Sequence, residues 1–390
     1  STSNLDKIKH TLLEFVSNEL YKDFDTLYIY IITEKQKKYK QSSIDEIIGD
    51  KIRFTTENIL DKTDLYKVLN AQNDDQKIIN VCKLLETQFA DNKYEFDKWE
   101  LYCKGLYEYD QYIKNLYTYF DIKGFSPRVN NTLVRLNIDK IYVPLKFKFD
   151  FSNNADDNLP KDKRTSYDII TALTNFDKIV ILGDPGSGKS TTLKYLAYTI
   201  CAHRSGNEQL QTYIPIYLKA TEFARYLFDT GRSLSEFIID INTKYGLLFS
   251  KSLENNKLIV LIDGLDEINI TNQRHNVVEK INSFTAQYPE IKIIVSSRIV
   301  GYKETRLSGY FFHFEVDKFS DRQIYLFLNN WYSSISSYSD NNLENASEEA
   351  RKLFRSIKQN RSVYRLAQNP LLITIIALIY YQGSKLPEKR

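Results

Sequence analysis

The chain has no methionine, not even at its first position, which is Ser1. We therefore expect a processed or incomplete chain that begins and ends inside domains. Cysteine is scarce as well, and the three cysteines show neither disulfide nor metal-ligand spacing. They are Cys82, Cys103 and Cys201. This scarcity excludes a disulfide scaffold and favours a reducing compartment, so we expect a cytoplasmic protein.

The sequence also lacks an excess of one charge and a long apolar run. Lysine and arginine number 53 against 50 acidic residues, so bulk charge predicts binding to neither nucleic acid nor membranes. The most apolar stretch, residues 371–381, is shorter than the roughly 18 residues that a membrane-spanning helix requires. The four histidines have no ligand spacing and predict no metal site. A length of 390 residues suggests two or three domains.

The most informative stretch that is present has the sequence KIVILGDPGSGKSTT and occupies residues 178–192. Its apolar residues 179–182 predict a buried parallel strand, and the residues after 191 predict a helix. Between them, residues 183–190 fit the phosphate-binding loop pattern G-x-x-x-x-G-K-[ST]. A strand, a glycine loop and a helix in this order are the context that the pattern requires.

The residue types of this loop suit a bound nucleotide. The glycines let backbone N–H groups approach an anion, and the start of the following helix adds a partial positive charge. Lys189 can reach the β- and γ-phosphates, the Ser190 hydroxyl can ligate Mg²⁺, and Thr191 can reach the α-phosphate. The predicted nucleotide-binding residues of the loop are Gly183, Asp184, Pro185, Gly186, Ser187, Gly188, Lys189, Ser190 and Thr191.

Strands and helices alternate through the middle of the chain. The pattern predicts strands at 179–182, 213–218, 257–262, 291–295 and 311–316, with helices at 165–175, 233–245 and 272–287. This order predicts an α/β fold, a five-stranded parallel sheet flanked by helices. A small N-terminal α+β and helical segment precedes it, and a helical domain follows from Ser320. We therefore expect domains at 1–110, 111–319 and 320–390.

Before the phosphate loop, the pattern is less regular. It predicts helices at 5–20, 60–70 and 75–120, a strand at 27–32, a connector at 121–131, a strand-like segment at 141–149 and a polar loop at 153–164. The aromatic residues of 75–120 favour helix packing over base stacking.

Charged residues follow two of the predicted strands. Ligands bind at the carboxyl ends of parallel strands, and Asp263 stands at such an end, where it can hold Mg²⁺ of a bound nucleotide. Asp266 or Glu267 can orient or deprotonate the attacking water, and the sequence does not separate the two, although we favour Glu267. Arg298 can sense the γ-phosphate. The predicted catalytic set is Lys189, Asp263, Asp266, Glu267 and Arg298.

Four segments together resemble the NACHT branch of the STAND-type NTPases: GDPGSGKST, LIVLIDGLDE, IIVSSRIVGY and NPLLITIIAL. The segments IYVPLKF and FSDRQIYLFLNNWY also fit, so the resemblance covers about residues 112–390. It implies binding of ATP or ADP, slow hydrolysis, and a homo-oligomer that forms on sensing a trigger such as a phage component. It also implies that Pro370 contacts the adenine and that residues 125–129 flank the nucleotide. We expect the winged-helix and sensor regions of that family to lie beyond Arg390.

The N-terminal residues resemble part of the SMEK domain, a nuclease-like module of bacterial defence proteins. The resemblance rests on KIKHTLLEFV, FDTLYIYIITEKQKKYK and ILDKTDLYKVL, within about residues 5–70. It covers the C-terminal half of such a module, so we expect its acidic half to precede Ser1 and predict no nuclease site here. Contact with nucleic acid is expected only through this segment.

Three other functions remain open on the sequence. The first is a motor or remodelling ATPase of the AAA+ kind, which would turn ATP over steadily. The second is a scaffold that binds nucleotide without hydrolysing it, although the acidic residues after the third strand argue against this. The third is the gate of an N-terminal nuclease, which is compatible with a switch.

Overall fold

The computed structural model describes residues 31–33, 59–61, 93–120, 128–129, 132–149, 166–202, 206–207, 209–307, 309–337 and 343–382. The chain divides into two compact units, Ser1–Tyr107 and Glu108–Arg390. In the first unit, strands β1 (Ile31–Thr33) and β2 (Ile59–Asp61) pair in parallel. Residues 60 and 61 are therefore strand, where the sequence predicted the start of a helix. The helix predicted at 5–20 and the loop predicted at 153–164 lie outside the described residues.

Eleven strands are present among the described residues, and seven of them form one sheet. These seven are β5 (Phe147–Phe149), β6 (Ser166–Tyr167), β7 (Lys178–Leu182), β8 (Ile214–Lys219), β9 (Leu258–Asp263), β10 (Lys292–Ser297) and β11 (Phe312–Val316). Their order is β6-β5-β11-β7-β10-β9-β8. The short strands β3 (Arg128–Val129) and β4 (Thr132–Leu133) pair separately, within or beside the predicted connector.

The five predicted parallel strands are confirmed, but the sheet is mixed and has seven strands. β11, β7, β10, β9 and β8 run in parallel, whereas β5 pairs with β11, and β6 with β5, in antiparallel orientation. Ser166–Tyr167 was predicted as helix because a two-residue strand has no periodicity to reveal it. The helix begins only after Asp168, whose side chain accepts from Thr171 N–H and caps it.

The helices follow the alternation expected of an α/β fold. They are α1 (Lys93–Tyr117), α2 (Ile138–Ile141), α3 (Ile169–Asn175), α4 (Lys189–Cys201), α5 (Ala220–Thr230), α6 (Leu234–Asp240), α7 (Gly246–Glu254), α8 (Thr271–Gln287), α9 (Ile299–Tyr302), α10 (Asp321–Ser336), α11 (Leu343–Gln359), α12 (Arg361–Ala367) and α13 (Pro370–Tyr381). The predicted helix at 233–245 is α6 followed by a separate 3-10 turn, Thr243–Tyr245. Helices α5 and α7 were not predicted.

The core lies around the central strands. All five residues of β7 and all six of β10 are buried, as are five of the six in β9. Such continuous burial is typical of parallel strands covered on both faces. The C-terminal helices pack together, with the large Trp331 of α10 buried among them. Among the described residues, no single helix is long and apolar enough to cross a membrane, and α12 and α13 would be so only as a pair bent by 120°.

Candidate functional site

The loop between β7 and α4 has the backbone of a tight anion-binding turn. Gly186 has a φ of 74° and Gly188 a φ of 94°, values in the left-handed region that disfavours side chains. Helix α4 begins directly after Gly188, and no side chain caps this helix start. A ligand with negative charge would therefore meet backbone N–H groups and the positive end of the helix.

Lys189 lies over this loop. Its ammonium group donates to the carbonyl of Gly183 at 2.7 Å and to that of Asp184 at 3.0 Å. Burial lowers the pKa of Lys189, while the carboxylates of Asp266 and Asp263 act in the opposite direction. The lysine is thus close enough to both carboxylates to feel their charge. Ser190, the next residue, is exposed at the start of α4.

Asp263 ends strand β9 and is held from both sides. The Tyr217 hydroxyl donates to its Oδ2 atom at 2.7 Å, and the Ser296 hydroxyl donates to its Oδ1 atom. Ser296 Oγ also accepts from the N–H of Gly264 at 3.0 Å, so it joins the carboxylate to the next turn of backbone. Residues of β8 and β10 therefore fix the position of this carboxylate at the end of β9.

The side chain of Asp266 forms an ion pair with Arg298. The Arg298 Nε atom lies 3.1 Å from Asp266 Oδ2, and the backbone N–H of Arg298 donates to Oδ1 at 2.8 Å. The Asp266 side chain is only 10% exposed, whereas that of Arg298 is 53% exposed. Arg298 thus links the acidic turn after β9 to the start of α9. Part of its guanidinium group remains accessible to solvent.

Glu267 has different surroundings, although it belongs to the same 3-10 turn, Leu265–Glu267. Within the described part of the chain, its carboxylate makes no hydrogen bond or ion pair, and the residue is exposed. Partial burial and the neighbouring carboxylates of Asp263 and Asp266 raise its pKa. The turn needs glycine at 264, where φ is 75° and a Cβ atom would lie 2.8 Å from Glu267 Cδ.

Arg274 ties this turn to α9. Its buried guanidinium donates to the carbonyl of Ile268 from Nε at 3.1 Å and from Nη2 at 2.7 Å, and to the carbonyl of Gly301 from Nη1 at 3.0 Å. Buried backbone carbonyls need such donors. Arg274 therefore fixes the distance between the turn that carries Asp266 and the helix that follows Arg298.

The start of helix α13 contacts the phosphate loop directly. The Asn369 side chain donates to the carbonyl of Pro185 at 3.0 Å, and Leu371 N–H donates to that of Gly186 at 3.1 Å. A Cβ atom on Gly186 would lie 2.9 Å from Leu371 Cβ, so the approach requires glycine. Pro370 lies beside the loop as well, since a Cβ atom on Gly188 would be 3.6 Å from Pro370 Cγ.

The structure thus brings the predicted residues of the phosphate loop, β9 and β10 to one edge of the sheet. Gly183 N–H donates to the carbonyl of Ser297, which joins the loop to the end of β10. Of the residues 125–129, only Arg128 and Val129 lie in the described part of the chain, as strand β3.

The sequence interpretation missed four residues of this site. Ser296 is a polar residue at the end of a buried strand, which is a usable signal. Asn369 stands directly before Pro370, a pattern that indicates a helix cap but not a contact with the phosphate loop. Tyr217 and Arg274 offered no signal, because their partners depend on the register of β8 against β9 and on the path of α8.

Comparisons with known proteins agree with this architecture. Residues 177–334 match the family model of the NACHT domain, and residues 1–70 match that of the SMEK domain. No curated protein gives a significant match.

Solved structures with some likeness include AMPPCP-bound DnaA from Aquifex aeolicus (17% identity, TM-score 0.30) and C. elegans PCH-2 (15% identity, TM-score 0.30). The alignments cover 54% and 53% of this chain, and only 60% and 62% of those chains. At these values, the two structures add nothing to the assignment.

The sheet, the phosphate loop and the carboxylate at the end of β9 define a P-loop NTPase. Residues 177–334 match the model of the NACHT domain and the N-terminal residues match that of the SMEK domain, as the sequence resemblance predicted. Membership of this class supports the conclusion that the protein binds nucleotide and has NTPase activity.

Proposed function

We propose that the protein is a nucleotide-dependent signalling switch, a STAND-type ATPase that binds ATP and hydrolyses it slowly. The observation that carries this proposal is the meeting of Lys189, Asp263 and the Asp266–Arg298 pair at the carboxyl edge of the sheet. In this assignment, the loop 183–191 binds the phosphates and Lys189 neutralises the β- and γ-phosphates.

The donor set fits Mg²⁺ as the accompanying metal. Ser190 and Asp263 offer a hydroxyl and a carboxylate oxygen, the hard donors that Mg²⁺ prefers. Among the described residues, no group of three or more His, Cys, Asp or Glu side chains forms a metal site. These two residues would therefore share the ion with phosphate oxygens and water. When bound, the ion would neutralise charge on the β- and γ-phosphates.

Hydrolysis needs a group that orients or deprotonates water, and the geometry favours Glu267. Asp266 is engaged by Arg298 through two contacts, whereas the raised pKa of Glu267 suits a general base. Arg298 is half-exposed beside Lys189, and it would contact the γ-phosphate if its pair with Asp266 opened.

The wider role follows from the resemblance to the family. We propose a cytoplasmic switch that controls an N-terminal effector in defence against phage and forms a homo-oligomer once a trigger is sensed. Nucleic acid would be bound only through the N-terminal segment, and no membrane is involved. Pro370, which lies beside Gly188, would contact the adenine.

The variant Lys189→Ala tests the site. We expect nucleotide affinity to fall by about 100-fold or more, because the ammonium group would no longer face the phosphates. Binding of a fluorescent ATP analogue measures this, and circular dichroism checks that the fold is kept. Lys251→Ala, which removes a half-exposed lysine of α7 paired with Glu254, is the matched control. Unchanged affinity in Lys189→Ala would refute the assignment of the site.

A further inference from the structure

The carboxylate of Asp263 accepts a hydrogen bond from a residue that lies outside the NTPase motifs. Tyr217 belongs to β8, the edge strand beyond β9, and its hydroxyl donates to Asp263 Oδ2 at 2.7 Å. Burial raises the pKa of Tyr217, and the nearby Asp263 charge raises it further. The hydroxyl is thus the donor of this hydrogen bond and the Asp263 carboxylate the acceptor.

The ring of Tyr217 is itself held in place by helix α1. The ring of Tyr117, in the last turn of α1, packs against it edge-to-face with 5.7 Å between the centroids. Aromatic pairs in this arrangement have a preferred geometry, so the two rings constrain each other. Lys194 of α4 also places its ammonium group 5.7 Å from the Tyr217 centroid.

Helix α1 is anchored to the same strand at a second point. The Tyr109 hydroxyl donates to the carbonyl of Pro215 at 2.8 Å, two residues before Tyr217 on β8. Tyr109 is buried and its ring also contacts those of Tyr245 and Phe249. Two tyrosines, two turns of helix apart, thus fix α1 along the strand that supports Asp263.

We propose that Tyr217 positions Asp263 for the metal of the bound nucleotide, and that Tyr117 sets the position of Tyr217, so that helix α1 controls metal affinity at the site. This inference rests on the proposed function. The helix is continuous from Lys93 to Tyr117, and the SMEK-like residues precede it in the chain. A displacement of α1 would therefore reach the metal-binding carboxylate through two aromatic rings. By linkage, binding of the metal with its nucleotide would bias α1 to the same extent.

The variant Tyr217→Phe tests the first contact, because it removes only the hydroxyl. We expect nucleotide affinity in EDTA to be unchanged, and the Mg²⁺ concentration for half-maximal tightening of ATP binding to rise about tenfold, as for other groups that orient a metal ligand. A fluorescent ATP analogue titrated with Mg²⁺ measures both without turnover. Tyr226→Phe is the matched control, since its hydroxyl donates to Asp240 at the same 2.7 Å, at the surface.

The role of α1 is tested by removing the Tyr117 ring in two backgrounds. Tyr117→Ala, or Tyr117→Leu if the first variant is unstable, should weaken the Mg²⁺ effect in the native protein. The same change should have no further effect in Tyr217→Phe, because the link to Asp263 is already broken.

Three outcomes distinguish the alternatives. Tyr217→Phe with native Mg²⁺ dependence overturns the positioning role. Equal effects of the Tyr117 substitution in both backgrounds overturn the link through α1. A native protein that binds no ATP, with or without Mg²⁺, overturns the proposed function itself.

Discussion

Two neighbouring carboxylates in one short turn have opposite surroundings. Asp266 is nearly buried and is held by the side chain and the backbone N–H of Arg298. Glu267 is exposed, and its pKa is raised by partial burial and by the charges of Asp263 and Asp266. A carboxylate that is paired with an arginine is a weaker proton acceptor, whereas a carboxylate with a raised pKa is a better one. The two carboxylates, of which the sequence favoured Glu267 as the base without separating them, thus differ in partners and exposure.

The corresponding prediction concerns Glu267→Gln. We expect ATP to bind as tightly as before and hydrolysis to fall by about 100-fold or more, because the amide cannot act as a base. Single-turnover hydrolysis measures the loss and nucleotide binding serves as its control. Asp266→Asn should retain more of the hydrolysis rate, since an amide oxygen can still accept from Arg298 N–H. The opposite ranking of the two variants would assign the base to Asp266.

The pH profile gives an independent check of the same residue. The active base is the deprotonated form, so kcat/KM should fall as pH decreases through the Glu267 pKa. Because that pKa is raised, the acidic limb should lie above the value of about 4.3 of an ordinary glutamate. Glu267→Gln should lack this limb. An identical limb in the variant would show that another group titrates there.

At the level of elements, the contact between α13 and the phosphate loop is the main feature of the helical region. The Asn369 side chain forms hydrogen bonds with both the helix and the loop. Its oxygen caps α13 by accepting from Leu371 and Leu372 N–H, and its nitrogen donates to the carbonyl of Pro185. One residue thus joins the start of a helix to the backbone that would bind phosphate. A change in the loop on nucleotide binding would therefore move α13.

The variant Asn369→Ala should alter the rate at which nucleotide dissociates. It loses the helix cap, which costs about 1 kcal/mol of stability, and also the bond to the phosphate loop. Asn360→Ala is the matched control, because Asn360 caps α12 through Ser362 and Val363 N–H. We expect similar decreases in Tm for both variants, but a changed dissociation rate, measured by stopped-flow, only for Asn369→Ala. Equal dissociation rates would limit Asn369 to a capping role.

Elements with a strong local pattern were predictable, and those defined by distant partners were not. Strands β7, β9 and β10 are buried apolar runs, so the sequence alone predicts them. Strand β6 has two residues and exists only through its pairing with β5, which no local pattern reveals. The same holds for the site: the loop and Asp263 follow from motifs, whereas Tyr217, Arg274 and the loop contact of Asn369 depend on tertiary packing.

On the scale of the whole molecule, the site is assembled from segments far apart in the chain. The phosphate loop, the ends of β8, β9 and β10, and the start of α13 all contribute. The residues that support it reach back to Tyr117 in α1. A site of this kind depends on the arrangement of several elements at once.

The distinction between switch and motor leads to the last prediction, on the nucleotide that the purified protein retains. A switch that releases its product slowly should purify with that product, so we expect denaturation to release about one ADP per chain from a monomer, and none from Lys189→Ala. Steady turnover should lie far below the roughly 10 s⁻¹ typical of enzymes. Chromatography of the released nucleotide and the molar mass before and after adding Mg·ATP measure both properties. An empty protein with steady turnover would favour the motor, and tight ATP binding with no hydrolysis would favour a scaffold.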